Sequence, residues 1–178
     1  TGRRYHVYNA GVMGTVPHHW ERYLQRLVPV YQPDYVFAIF FLRDGTPLCT
    51  SLRCHRETID RLRRQYASGF LYRHSRIVRL MGDALVRREF TRYYLDAISR
   101  SYLGSEMDRR FWSGQQQSLV RIRDACQRAG IEFHMVVFPL LFGLESASTY
   151  RFHAVEDEIL RFAREARIPA FSLTPAFL

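Results

Sequence analysis

The apolar positions of this chain follow two patterns, continuous runs and helical stripes. Continuous apolar runs occupy residues 35–42 and 133–138, and such runs are typical of parallel strands that are buried on both faces. The alternating segment 5–8 and the apolar segment 168–173 predict two further strands. We therefore expect four strands, with the run at 35–42 forming a central strand covered on both faces.

In most of the remaining chain, apolar residues recur at the spacing of a helix. Residues 17–33 and 151–167 each predict one amphipathic helix, and residues 51–129 predict a nearly continuous series of helices. Glycines are the expected breaks in this series, at Gly69, Gly104 and Gly114, and Gly130 is expected to stop the last helix. One apolar stripe in the series consists of Ile77, Leu80, Met81, Ala84 and Leu85.

The order of these elements predicts the fold class. A βαβ unit is followed by a long helical excursion, residues 51–128, and then by a second βαβ unit. Alternating strands and helices favour a parallel, doubly wound sheet within a single α/β domain, here residues 1–178. Ligands of such sheets bind beyond the carboxyl ends of the strands, so we expect any site to be built from residues 9–15, 43–47, 139–150 and 174 onward.

Composition narrows the function classes. The apolar fraction of 47% excludes a disordered chain, and the longest apolar runs fall short of the ~18 residues that a membrane-spanning helix needs. Cys49, Cys54 and Cys126 have neither a zinc spacing nor the even number of a disulfide framework. We expect no metal and no cofactor. The acidic run Glu156 to Glu158 is interpreted as a solvated helix face.

The positive charge is concentrated in one part of the chain. The net charge is +9, and all 26 basic residues are arginine; with a single asparagine in the chain, this usage indicates a GC-rich genome rather than selection for phosphate binding. Residues 51–128 hold 17 arginines and 8 acidic residues, whereas arginines and acidic residues balance elsewhere. The excess charge therefore belongs to the helical excursion.

Two interpretations of this basic segment stay open. It is either a solvated helical cap over the sheet, or a docking surface for an acidic protein or for anionic lipid head groups. No recognised nucleic-acid-binding motif is present, which argues against a nucleic-acid partner. The candidate partner-binding residues are Arg63, Arg64, Arg73, Arg76 and Arg79.

A glycine turn, Asn9-x-Gly11-x-x-Gly14, joins the first predicted strand to the first predicted helix. Glycines at such a point allow backbone N–H groups to approach an anion. A dinucleotide fingerprint would have glycine at position 9 and an acidic residue nearer than Asp44, so the turn argues against a dinucleotide site.

Several segments together resemble one known family. Tyr8-Asn-Ala-Gly-Val-Met-Gly14, then Pro33-Asp34 and Phe40-Phe-Leu-Arg-Asp44, resemble the second and third sequence blocks of the SGNH (GDSL-type) hydrolases. Residues 129–141 and 166–177 resemble later strands of that family. The resemblance implies a flavodoxin-like three-layer α/β/α sandwich, here with an enlarged helical excursion, and a bacterial, extracytoplasmic or membrane-peripheral location. Members of this family hydrolyse esters, thioesters or acyl groups on sugars.

The resemblance also implies site residues. Gly14 stands at the position of the family's oxyanion glycine, Asn9 opens the same block, and Asp44 matches the aspartate of the third block. Arg43 stands where the family has its oxyanion asparagine. The family's Gly-Asp-Ser and Asp-x-x-His blocks are missing from the sequence given, and the resemblance would place them before and after it.

Two functions follow from this partial match. The first is a catalytically incomplete domain that acts as a binding or scaffold subunit of a larger, membrane-associated assembly. The alternative is a fragment of an active serine esterase or acyl hydrolase whose serine and histidine lie outside the chain.

Overall fold

A computed structural model describes residues 4–47, 52–144, 146 and 148–178, without the side chains of residues 52–55. Cys49 therefore lies outside the described residues. The elements, with a 3₁₀ turn at Leu42–Gly45, are α1 (Pro17–Tyr31), β1 (Tyr35–Phe41), α2 (Leu52–Tyr66), α3 (Phe70–His74), α4 (Arg76–Leu103), α5 (Glu106–Arg128), β2 (Glu132–Phe138), α6 (His153–Glu165), β3 (Ala170–Ser172) and α7 (Thr174–Phe177).

The strands form a parallel sheet in the order β1-β2-β3. The register pairs Tyr35 with Glu132 and continues to Phe41 with Phe138, and β3 joins β2 through the pair Met135 and Ala170. The sequence prediction of a mixed α/β fold with a parallel sheet is confirmed. None of the helices in the described ranges is long and apolar enough to cross a bilayer.

One face of the sheet carries the hydrophobic core. Phe40 and Met135, from β1 and β2, join apolar side chains of α4, α5 and α6 in one buried cluster, and partly buried side chains of α1 pack against it. Trp112 of α5 lies in the middle of this cluster, with its ring 5.0–5.6 Å from the rings of Phe40, Tyr102 and Phe162. The cluster fixes α4, α5 and α6 over the same face of the sheet.

The opposite face of β1 is open to solvent. Four of its side chains are 44–55% exposed: Tyr35, Phe37, Ile39 and Phe41. The expectation of a central strand covered on both faces at residues 35–42 is therefore wrong for the described chain, where β2 is central and β1 lies at the edge. An apolar run indicates that both faces of a strand can be buried, but it cannot say what covers them.

The segment predicted as a strand at residues 5–8 has no regular secondary structure. A strand is stable only when its backbone pairs with a neighbouring strand, and in the described part of the chain no strand pairs with this segment. The ring of Tyr8 instead packs 4.5 Å from the ring of Tyr31, at the end of α1.

The helical excursion has the predicted content, with one exception. Gly69 and Gly104 separate helices and Gly130 follows α5 with a φ of 70°, as expected, but Gly114 lies inside α5. Helix propensity disfavours glycine by only about 1 kcal/mol, and the packing of α5 on the core outweighs that cost. The stripe from Ile77 to Leu85 faces solvent.

Candidate functional site

The carboxyl end of β1 runs directly into the 3₁₀ turn that carries Arg43 and Asp44. The Asp44 carboxylate accepts the backbone N–H of Phe41 at 2.9 Å, which ties the start of this turn to its third residue. At the other end, the backbone N–H and the hydroxyl of Thr46 both donate to the Arg43 carbonyl, at 3.0 and 2.7 Å. The turn is thus closed by its own side chains.

Asp44 is only 6% exposed. Burial raises the pKa of this carboxyl to about 6, although the hydrogen bond from Phe41 and the charge of Arg43 act in the opposite direction. Removing a carboxylate from water disfavours its charged form, so Asp44 changes charge close to neutral pH. Arg43 is half-buried, and its backbone carbonyl, rather than its guanidinium, holds the turn.

Tyr102 of α4 supports the same turn from the core. Its buried hydroxyl donates to the Leu42 carbonyl at 2.5 Å and accepts the Gly45 N–H at 3.1 Å. Burial raises the pKa of Tyr102 well above its ordinary value, so the phenol stays protonated and can donate. A Cβ at Gly45 would collide with this hydroxyl, which explains why the position is glycine.

Asn9 and Gly14 lie in the loop that leads to α1. The exposed Asn9 side chain accepts the Gly11 N–H at 2.9 Å, so it closes a turn within its own loop. Gly14 has a φ of 80° and is half-buried. Among the described residues, no hydrogen bond joins Asn9 or Gly14 to Arg43 or Asp44.

The loop is nevertheless fixed to the body of the protein. The Thr15 hydroxyl accepts the indole N–H of Trp20 at 3.0 Å, and the Trp20 ring meets Phe40 edge-on at 6.3 Å. The buried side chain of Gln115 accepts the backbone N–H of His18 at 3.3 Å. The first turn of α1 is therefore held against both β1 and α5.

A second polar cluster at the carboxyl edge of the sheet was missed by the sequence analysis. Glu156 of α6 is only 4% exposed. Its carboxylate accepts hydrogen bonds from the hydroxyls of Tyr150 at 2.7 Å, Thr174 at 2.5 Å and Ser172 at 3.0 Å. The Tyr150 hydroxyl also accepts the Leu140 N–H at 3.3 Å. We call these four residues, Tyr150, Glu156, Ser172 and Thr174, the Glu156 cluster.

The interpretation of residues 156–158 as a solvated run is therefore wrong for Glu156. Burial and its hydrogen bond to Glu156 raise the pKa of Tyr150, so the phenol stays a donor. The sequence held a signal for this position, because Glu156 lies between Phe152, Val155 and Ile159 on the apolar face of the helix. A buried carboxylate with three hydroxyl donors is a structural clasp that joins residues 139–152 to the end of β3.

The candidate partner-binding arginines lie on α2, α3 and α4, and all five are exposed. The Arg79 guanidinium donates to the Arg73 carbonyl at 3.0 Å. The charges of Arg63 and Arg79 both act on Tyr72, whose pKa is raised because its hydroxyl donates to Asp83 at 2.7 Å. The structure thus places the charges of Arg63 and Arg79 near one tyrosine, and Arg73 follows that tyrosine in the chain.

The described side chains form no group of three or more His, Cys, Asp or Glu that could hold a metal ion. Cys126 is buried and free, and burial raises the pKa of its thiol to about 11, which makes it unreactive. Comparisons with family models, with curated proteins and with solved structures found no match for this chain.

Proposed function

We propose that this chain is an SGNH-hydrolase-like domain, with a flavodoxin-like sheet, that serves as a binding or scaffold subunit of a membrane-associated assembly. The proposal rests on the hydrogen bonds of two polar residues, Asp44 and Asn9. The resemblance assigns both to sequence blocks that build the family's catalytic site. The Asp44 carboxylate and the Asn9 amide each accept a backbone N–H of their own turn. Both side chains support local structure.

The identity of Arg43 supports the same proposal. An oxyanion donor must lie about 3 Å from the oxygen it stabilises, and the loss of one donor costs roughly 100-fold in rate. A guanidinium is longer than the amide of an asparagine and would hold its N–H groups in other places. A domain that no longer depends on catalysis can accept this substitution.

Exposed arginines form the surface that we propose for binding a partner. The charges of Arg63 and Arg79 act on Tyr72, and both arginines are exposed, as is Arg73. Arginine with aromatic residues is typical of the centres of protein interfaces, and a patch of one charge attracts partners of the opposite charge.

The alternative, an active serine esterase completed by further segments, is favoured by one observation. Gly14 keeps a left-handed φ of 80° directly before α1, and the resemblance makes this glycine an oxyanion donor. A fluorophosphonate probe distinguishes the two functions, because it labels an activated serine. We expect the full-length product of the gene to remain unlabelled under conditions that label a known serine hydrolase. Labelling would refute the binding-subunit proposal.

Charge reversal tests the binding surface in co-purification from the native host. The test variant reverses four arginines: Arg63→Glu, Arg64→Glu, Arg76→Glu and Arg79→Glu. The control variant makes the same change in charge at exposed positions of α1 and α5: Arg22→Glu, Arg26→Glu, Arg109→Glu and Arg110→Glu. We expect the test variant alone to lose the assembly; equal retention of the assembly by both variants would contradict this surface.

A further inference from the structure

The surface formed by α3 and the first half of α4, residues 70–88, combines exposed apolar side chains with arginines. We call it the α3–α4 surface. Its most exposed apolar side chains are each 62–74% exposed: Phe70, Leu71, Ile77, Leu80 and Met81. Large apolar side chains scattered singly are ordinary on protein surfaces, but a contiguous group indicates an interaction site.

Helix geometry shows that the apolar side chains of α4 are contiguous. Ile77, Leu80 and Met81 are three or four residues apart, and Ala84 and Leu85 continue the same stripe one turn later. The opposite side of the helix is already packed. A Cβ at Gly82 would lie 3.0 Å from the Tyr66 carbonyl and from the Tyr72 ring. The stripe therefore faces outward because the other side of α4 is occupied by α2 and α3.

The charge of this surface is predominantly positive. Residues 70–88 contain five arginines and a single acidic residue, Asp83, whose carboxylate accepts the Tyr72 hydroxyl. Arg76 and Arg87, eleven positions apart, border the apolar stripe along one side of the helix. Arginine can extend its aliphatic stem along an apolar surface while its charged group remains in a polar layer.

We propose that the α3–α4 surface docks on a lipid bilayer with anionic head groups. The apolar stripe enters the boundary between head groups and acyl chains, and the arginines bind the head-group phosphates and carboxylates. Stable attachment of a protein to a membrane requires two signals, and an apolar face bordered by basic residues supplies both. This inference rests on the proposed binding function and names the partner.

The observations favour a bilayer over an acidic protein. An acidic protein surface would neutralise the arginines, but it would leave Ile77, Leu80 and Met81 against charged side chains. A bilayer accepts both kinds of group at once, because its charged layer and its apolar layer lie within the reach of one helix.

Flotation of the full-length protein with lipid vesicles tests the inference. We expect binding to phosphatidylcholine vesicles that contain ~30 mol% phosphatidylserine, and no binding to pure phosphatidylcholine. The affinity should fall as the salt concentration rises from about 0.05 to 0.5 M, because salt screens the attraction. Absence of binding to the anionic vesicles would overturn the inference.

A first pair of variants tests the apolar stripe. The test variant is Ile77→Ser, Leu80→Ser and Met81→Ser, and its matched control changes exposed apolar residues elsewhere: Val30→Ser, Leu103→Ser and Met107→Ser. All six positions are exposed, so both variants should keep the circular dichroism spectrum of the native protein. We expect at least tenfold weaker vesicle binding for the test variant only. Equal binding by both variants would overturn insertion.

A second pair tests the charges. Arg73→Glu with Arg76→Glu should weaken binding at least tenfold, since each arginine near an anionic surface contributes roughly fivefold to binding. The control, Arg109→Glu with Arg110→Glu on α5, makes the same change in net charge and should bind like the native protein. An equal loss of vesicle binding in the test variant and in its control would overturn binding through the α3–α4 surface.

The outcomes separate this inference from the function on which it rests. Sensitivity to charge reversal without sensitivity to the serine substitutions would indicate a purely electrostatic adsorption to the vesicles; it would overturn docking through the apolar stripe and leave the binding-subunit proposal untouched. Labelling by the fluorophosphonate probe would refute the binding-subunit proposal whatever the vesicles show.

Discussion

At the scale of single residues, position in a turn decides what a polar side chain does. Asp44 is the aspartate that the sequence connected with chemistry, and its carboxylate holds the N–H of Phe41. Asn9, which is unusual in a chain with no other asparagine, closes a turn onto Gly11. The sequence predicted that these residues were special, but only their hydrogen-bond partners show which task they perform.

The pH dependence of stability should report the burial of Asp44. Its pKa in the folded protein is about 6, above the ~3.9 of an unfolded chain. The folded state therefore binds the proton more tightly, and its contribution to stability is complete below pH ~4 and is lost as the pH rises through about 6. Asp44→Asn should remove this dependence, which amounts to at most about 3 kcal/mol.

Urea unfolding at several pH values between about 4 and 7 measures this effect. The difference in unfolding free energy between the native protein and Asp44→Asn cancels the groups that both share. A difference that stays constant across this range would show that Asp44 titrates as an exposed carboxyl does.

At the scale of elements, α6 illustrates both the strength and the limit of a sequence pattern. The apolar spacing of residues 151–167 predicted the helix, which the structure places at His153–Glu165. The acidic run within it was assigned to solvent as a whole, because charge normally lies outside. Glu156 is the exception, since hydroxyls from a loop, a strand and a short helix converge on it.

Removal of the Glu156 carboxylate should loosen the carboxyl edge of the sheet. Glu156→Ala leaves three hydroxyls without their acceptor, and we expect a loss of roughly 2–4 kcal/mol in unfolding free energy. Hydrogen exchange should increase in residues 139–152 and 173–178, which the carboxylate joins.

The neighbouring Asp157 provides the control. It is exposed on the same helix, so Asp157→Ala should change the stability by less than about 0.5 kcal/mol. Similar losses in the two variants would mean that the Glu156 cluster does not act as a clasp, and that the helix responds to charge alone.

At the scale of the whole molecule, the composition of β1 differs from its packing. Both faces of β1 are apolar, but within the described ranges α1 and α5 pack on the face with Phe40, and the side chains of the other face are exposed. Trp112 joins the sheet to α4 and α6 through its contacts with Tyr102 and Phe162. Stability should therefore be sensitive on one face of β1 and tolerant on the other.

Two aromatic substitutions test this asymmetry. Trp112→Ala should cost roughly 3–5 kcal/mol, because it opens a cavity among three other rings. Phe37→Ala, on the open face where the side chain is half exposed, should cost less than about 1 kcal/mol. Denaturant unfolding measures both; a cost for Phe37→Ala close to that for Trp112→Ala would mean that the open face is buried in solution.

The sequence by itself determined most of the elements and their order. The runs at 35–42 and 133–138, the helical spacing between them and the stop at Gly130 are local signals, and each depends on side chains that are near in the chain. The concentration of positive charge in residues 51–128 also follows from the sequence alone. Parallel pairing followed from the alternation of helices with continuously apolar strands.

Only the tertiary structure decided which surfaces are covered. The stripe from Ile77 to Leu85 and the face of β1 with Phe37 have the composition of a core, and both are open. Segment 5–8 has the composition of a strand and pairs with none, whereas Glu156 has the charge of a surface residue and is buried. In each case the outcome depends on groups far away in the sequence, and a pattern within one segment cannot specify what packs against it.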